Sequence, residues 1–384
     1  MTADITLRGP GDVLAVLPYQ LGYHPRDSVV VVSLREKQIA LVLRCDLPPD
    51  EHVAMVSASL VGPVVRERAD SVLVLGFEEV EHASIPLALA VVDDLERQGV
   101  EVLDVQVVRG GRRYSPICAR PCCPPEGEPV PGPQDVPAVA EFVLQGRSPL
   151  PDRRQVDDLV EAQPALVLGV AEALARRASR PGRVTDRRRR SASAWGVLLS
   201  VPGQPGERLV PRVLADLVAG LADVPWRDGV IAWLAPGVLP VSTLDTHVVA
   251  RLCATMPRWA QMGAGFDAEP LRGSLRQLPH GGPVGRSGGL GRAAERDELR
   301  ARLLSLCRAV PDSAPVEAAA TCTLAAAVCW ADGDGAVARA AIDRAVRLRP
   351  DYRLACLLER LIDQGVRVGS SREGGRAPSL GWTG

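Results

Sequence analysis

The sequence predicts an α/β N-terminal domain, a mixed sheet with flanking helices, followed by a mostly α-helical C-terminal region ending in a tetratricopeptide-like helical hairpin. Three observations predict it. Runs of β-branched apolar residues are confined to the part of the chain before Arg109. Strand-like and helix-like stretches alternate there. Beyond Pro137 the apolar spacing is helical and strand alternation is missing.

The elements follow in order. Val13 to Leu21 reads as a short helix entered at Asp12. Ser28 to Leu34 and Gln38 to Cys45 read as a hairpin across the charged Arg35-Glu36-Lys37. A helix from Asp50 to Arg68, a strand from Ser71 to Gly76, a helix from Ile85 to Gln98 stopped by Gly99, and a strand from Glu101 to Val108 complete the series. The unbroken apolar runs Val29 to Val32 and Ile39 to Leu43 predict strands covered on both faces, with part of the pairing parallel. Later helices are expected over Ala138 to Leu144, Arg153 to Glu161, Ala165 to Arg177, Leu209 to Leu221, Gly229 to Leu234, Leu244 to Thr255 and Ala293 to Ala309. In the last ordered part, Ala338, Ile342, Ala345 and Pro350 fall at the small, large, small and proline positions of the second helix of a tetratricopeptide-like repeat, with Ala326 and Cys329 at first-helix positions. An ordinary helical hairpin uses the same packing logic.

At 384 residues, 46% hydrophobic and 24% charged, the chain can bury a core and divides into two domains by the usual size of roughly 100 to 200 residues each. The expected division is an α/β domain over 1–135 ending in a cysteine-containing loop, then a helical domain over 136–368. Linker-like stretches lie near 179–190 and 281–291, and 369–384 reads as a disordered tail. A formal net charge of -1 excludes global attraction to nucleic acid or an anionic membrane. The N-terminus lacks a basic segment followed by an apolar one, and no apolar run approaches the ~20 residues that span a bilayer. The chain therefore reads as cytoplasmic, without a membrane partner. Nine cysteines, five of them (Cys253, Cys307, Cys322, Cys329 and Cys356) scattered singly through helical patterns, suit a reducing compartment.

Cys118, Cys122 and Cys123 concentrate reactive side chains within one loop, between prolines and Gly127. Three readings stay open there. A structural zinc site needs four donors, so these cysteines would require a fourth ligand, for which His24 at the rim before the first long strand is the candidate. A redox thiol site would need only a reactive pair. A loop with packed cysteines needs neither. Elsewhere, Arg187 to Arg190 lacks the interleaved aromatics of a nucleic-acid surface and reads as a solvated linker. Gly285-Arg286-Ser287-Gly288-Gly289 has the spacing of a nucleophile elbow without the strand that must enter it. Asp27-Ser28 and Arg44-x-Asp46, at the two ends of the first hairpin, read as turn bonding and an ion pair.

Leu21-Gly-Tyr-His-Pro-Arg-Asp-Ser-Val-Val, Leu43-Arg-Cys-Asp-Leu-Pro, Cys118 to Gly127, Gly146-Arg-Ser-Pro-Leu-Pro-Asp-Arg, Trp226-Arg-Asp and Trp330-Ala-Asp-Gly-Asp-Gly come in an order and spacing that resembles an uncharacterised actinobacterial family catalogued as domain of unknown function 4192. The resemblance extends to about Gly365, and the chain departs from it in 281–291 and in lacking a proline soon after Gly365. It implies no activity, substrate or cofactor. Two function classes follow from the residues themselves. One is an interaction or regulatory protein with a protein partner on the helical half. The other is an enzyme or small-ligand or metal binder with a site at the sheet rim, built from Tyr23 to Ser28 and Cys118 to Cys123.

Overall fold

The computed structural model describes residues 5–118, 123–144, 146–179, 182–200, 209–256, 292–366, 368 and 380–382. It has two compact units, Met1–Gln155 with Asp363–Val366 and Glu373–Gly384, and Val156–Ile362 with Arg367–Arg372.

The first unit is built on one mixed eight-stranded sheet of order β1-β8-β3-β2-β4-β5-β6-β7. The strands are β1 (Ile5–Leu7), β2 (Ser28–Arg35), β3 (Gln38–Asp46), β4 (Ser71–Phe77), β5 (Glu101–Arg109), β6 (Arg112–Tyr114), β7 (Glu128–Pro129) and β8 (Leu380–Trp382). β2 pairs antiparallel with both β3 and β4, while β4 and β5 are parallel. Because successive side chains of a strand point to opposite faces, the valine runs supply two cores at once. Val30, Val32, Leu34, Leu73, Leu75 and Phe77 pack under α1 (Pro10–Leu21) and α4 (Pro137–Leu144). Val29, Val31, Val72 and Val74 pack under α2 (Val53–Arg66) and α3 (Ile85–Arg97). Each such side chain contributes roughly 1.5 to 3 kcal/mol through burial. The α/β class and the two-faced β2 are as the sequence predicts, whereas in β3 only Leu41 is buried and the rest of Ile39 to Leu43 is half-buried.

Several elements differ from the sequence expectation. Gly110 and Gly111, at φ 56° and 74°, close a two-residue turn that sends the chain back as β6, so the sheet continues past Arg109. Both left-handed positions are open to glycine at little cost. Ala138, Val139 and Phe142 of α4 join the first core, which carries the unit boundary to Gln155 and not to 135. Within 369–384, Leu380–Trp382 is a strand, parallel to β1 and touching β3 at Gln38.

The second unit is helical. Its helices include α5 (Arg153–Asp158), which starts in the first unit, α6 (Pro164–Ala178), α7 (Val184–Ser200), α8 (Pro211–Gly220), α9 (Val224–Leu234), α10 (Thr246–Thr255), α11 (Arg292–Ala309), α12 (Pro315–Ala331), α13 (Gly335–Leu348) and α14 (Arg353–Asp363). The arginine run expected as a linker lies in α7, because Trp195, Leu198 and Leu199 bury one face of that helix and arginine is a good helix former. The 281–291 stretch, with its Gly-x-Ser-x-Gly, lies outside the described residues. α12 is buried on every side from Ala318 to Cys329, the pattern of a central helix. It pairs with α13 as the expected hairpin, with Ala326, Ala338, Ala341 and Ala345 fully buried where the helices approach. Gly333 at φ 78° ends α12, and Asp334 caps α13 by accepting from Val337 N at 3.2 Å. Among the described residues, no helix is long and apolar enough to cross a membrane.

Candidate functional site

The sheet rim collects the start of β2 and the ends of β4 and β5, since Ser28 stands opposite Phe77 and Phe77 opposite Val108. In open α/β sheets, ligands settle beyond the carboxyl ends of parallel strands, near a helix N-terminus. Here that position is taken by the chain itself. The side chain of Glu78, the residue after β4, is almost fully buried beneath the start of α3. Its carboxylate accepts from His82 N at 3.0 Å, Ser84 N at 2.9 Å, Ser84 Oγ at 2.7 Å and Arg109 Nη1 at 3.1 Å. Burial alone would raise its pKa, but the Ser84, His82 and Arg109 hydrogen bonds outweigh that and hold it below the ordinary carboxylate value. Arg109 also binds Glu81 at 2.6 Å and lies 4.8 Å above the Tyr114 ring. An added anion would find its donors engaged.

The Tyr23 to Ser28 turn braces the same rim. His24 N donates to Leu150 O at 3.0 Å and Leu150 N to Gly22 O at 2.8 Å, so two of the sequence motifs form one short parallel bridge. Asp27 holds a left-handed backbone at φ 38° while its Oδ1 accepts from Glu79 N at 3.0 Å. Ser28 is fully buried. Arg44 pairs with Asp46 at 2.5 Å, as the sequence predicts, and donates to Arg26 O at 3.2 Å. His24 is exposed, and its partial burial, together with the neighbouring Arg26 charge, lowers its pKa.

The cysteines occupy a different place. Their loop joins β6 to β7 at the edge of the sheet, and β6 runs away from the rim, with Arg112 opposite Arg109 and Tyr114 opposite Val107. From β2 to β6 there are three strand spacings, about 14 Å, so the register separates His24 from this hairpin. Cys118 and Cys123 are half-buried, and Cys122 lies outside the described residues. Among the described residues, no three His, Cys, Asp or Glu side chains gather as metal ligands. The base of the loop is firmly held. Arg112 donates from Nε to Glu126 O at 2.7 Å and from Nη2 to Gly127 O at 2.6 Å. Arg113 pairs with Glu128 across the strands. Gly127 sits at φ 70°, where a Cβ would stand 2.6 Å from the Tyr114 ring and 2.9 Å from Arg113 O. No side chain fits there.

A family model, Domain of unknown function (DUF4192), matches residues 10–271 and 289–368. The chain belongs to the DUF4192 family. Neither the curated proteins nor the solved structures include a match. Stretches on which the sequence resemblance rests lie at the rim and hairpin just described: Tyr23 and His24 meet Leu150 of the Gly146 to Arg153 stretch, and Gly127 closes the cysteine stretch on Tyr114. Sequence reasoning missed Arg109 and Arg112 because their partners are remote along the chain, and Glu78 because nothing near it marks it as buried. The Gly110-Gly111 pair after a strand was the one local signal of the extra hairpin.

Proposed function

We propose that this DUF4192 protein is a cytoplasmic interaction or regulatory protein that presents the β6–β7 loop to a protein partner. The observation that carries this reading is a loop fixed at its base by Arg112 and Gly127 while Ile117, 57% exposed, stands on it. A base already held by hydrogen bonds loses little entropy on docking, and an exposed aliphatic side chain beside it supplies an apolar anchor. Position supports the same reading, because β7 closes the sheet with only two residues and leaves the hairpin at an edge. The small-ligand reading at the sheet rim has less support, because Glu78 fills the anion position with its own carboxylate. A reducing compartment is supported by the buried, unbridged Cys307, Cys322 and Cys329.

The test is a photo-crosslinking amino acid placed at Ile117 in the native host, with Val143, 56% exposed in the same unit, as the comparison position. A discrete cross-linked species at 117 that is missing at 143, and that fades when Arg112→Ala loosens the loop, is the expected result. Identical patterns at both positions would remove the proposal.

A further inference from the structure

The helical unit holds an open cavity of about 550 Å³ lined by α6, α7, α8, α9 and the first turn of α12. Its size falls in the range of small-molecule sites, roughly 300 to 1,000 Å³. Four guanidinium groups line it, those of Arg177, Arg187, Arg188 and Arg190. Three carboxylates line it as well, and they are unevenly matched to the arginines.

Asp223 is fully engaged by Arg188, which donates from Nε at 2.8 Å and from Nη2 at 2.9 Å, and it caps α9 by accepting from Trp226 N at 3.4 Å. Asp216 is shared, taking Arg177 Nε at 2.8 Å and Arg190 Nε at 3.3 Å. Glu317 sits where burial raises its pKa. Arg187 has no carboxylate among the described residues and donates only to Gly182 O, at 3.1 Å. One arginine charge is therefore uncompensated and a second is half-compensated. These two stand close together, because Arg190 Nη2 lies 3.5 Å from where a Gly182 Cβ would be, beside the carbonyl that Arg187 bonds. They are also three residues apart on α7, which places them on one helix face. The lining also has apolar members, Leu174, Val184, Ala219 and Pro225.

We propose that this cavity binds a small organic phosphate, with the phosphate between Arg187 and Arg190 and the organic body against Leu174, Val184 and Pro225. A phosphate dianion matches two neighbouring guanidinium forks in both charge and hydrogen-bond geometry. A nucleic-acid strand is the poorer fit, since among the described residues no aromatic side chain lines the cavity for stacking. The arginine run on α7 is thus divided by face: Arg187, Arg188 and Arg190 reach the cavity, while Arg189 points to solvent with Asp186.

The experiment is calorimetric titration of the full chain with phenyl phosphate, inorganic phosphate and phenol. Saturable binding of phenyl phosphate, weaker binding of inorganic phosphate and none of phenol are expected. Arg187→Gln should weaken phenyl phosphate about tenfold or more without moving the unfolding midpoint, since among the described residues Arg187 holds no ion pair. Arg190→Gln serves as the second variant, and Arg189→Gln should bind as the wild type does. No saturation at millimolar phenyl phosphate, or equal affinity in the wild type and both cavity variants, would overturn the proposal. Equal affinity for inorganic and phenyl phosphate would overturn the assignment of an organic ligand.

Discussion

Replacing Glu78 with alanine should loosen the turn between β4 and α3 by about 3 kcal/mol. The magnitude follows from what each donor would do afterwards. His82 is exposed, so its N–H would turn to water. Arg109 is a quarter exposed and keeps Glu81 at 2.6 Å. Ser84 is fully buried, and both its N–H and its hydroxyl would be stranded. Two stranded donors cost roughly 1 to 3 kcal/mol each, less what the hydroxyl recovers by rotating. About 3 kcal/mol corresponds to opening made more frequent by a factor on the order of 100. The assay is amide hydrogen exchange on peptides spanning Ser71 to Leu95, a local readout suited to a chain with two compact units. Glu78→Gln should lie between, because an amide oxygen can still accept from Ser84 while its nitrogen cannot face Arg109. Acid should act in the same direction. Since the folded pKa of Glu78 is lowered from its ordinary 4.5, the stabilisation is complete above that value and is lost as pH falls through the lowered one. Wild-type protection of this turn, corrected for intrinsic exchange, should thus decline in acid while that of Glu78→Ala does not. Unchanged protection in Glu78→Ala at neutral pH would refute the reasoning.

Gly127→Ala should release the cysteine hairpin, because a Cβ would meet the Tyr114 ring at 2.6 Å at a left-handed backbone; a cost of about 1 to 3 kcal/mol should appear as faster exchange across β6 and β7. Arg344→Met should cost about 3 to 5 kcal/mol in urea unfolding followed by tryptophan fluorescence. That guanidinium is fully buried and binds Cys307 O and Val310 O at 2.8 Å and Asp312 at 2.6 Å, and Lys should not replace its fork. Ala345→Phe should overpack the α12–α13 contact by about 1 to 3 kcal/mol in the same assay, and an unchanged midpoint would count against the close approach. His24→Ala should leave the metal content of protein purified under reducing conditions unchanged, given three strand spacings between His24 and the hairpin; a fall in zinc would put His24 in a site.

What was legible in the sequence was whatever repeats over several residues. Val29 to Val32 announced a strand covered on both faces, and α3 announced its start and stop with Ile85 and Gly99. Strands of two or three residues have no period to read, so β6, β7 and β8 were invisible apart from Gly110-Gly111. The arginines of α7 were misread for a different reason. Their charge suggested solvent, whereas the residues that decide the helix, Trp195, Leu198 and Leu199, lie a turn or more further on. The rim network was hidden by separation along the chain: Glu78 meets Arg109 across 31 positions, and nothing near Glu78 marks it as buried.

The place of β8 bears on how the chain folds as it is made. This strand comes from residues 380–382, yet it lies between β1 and β3. When the α/β segment has left the ribosome, the sheet still lacks the strand between β1 and β3, next to its edge, and it keeps that vacancy throughout synthesis of the helical segment. The facing backbones of β1 and β3 are open to pairing with another chain for all of that time. A shortened protein ending at Gln155 would keep this opening permanently. Such a fragment is expected to self-associate where the full chain does not, which makes it a poor choice for expressing the α/β unit alone.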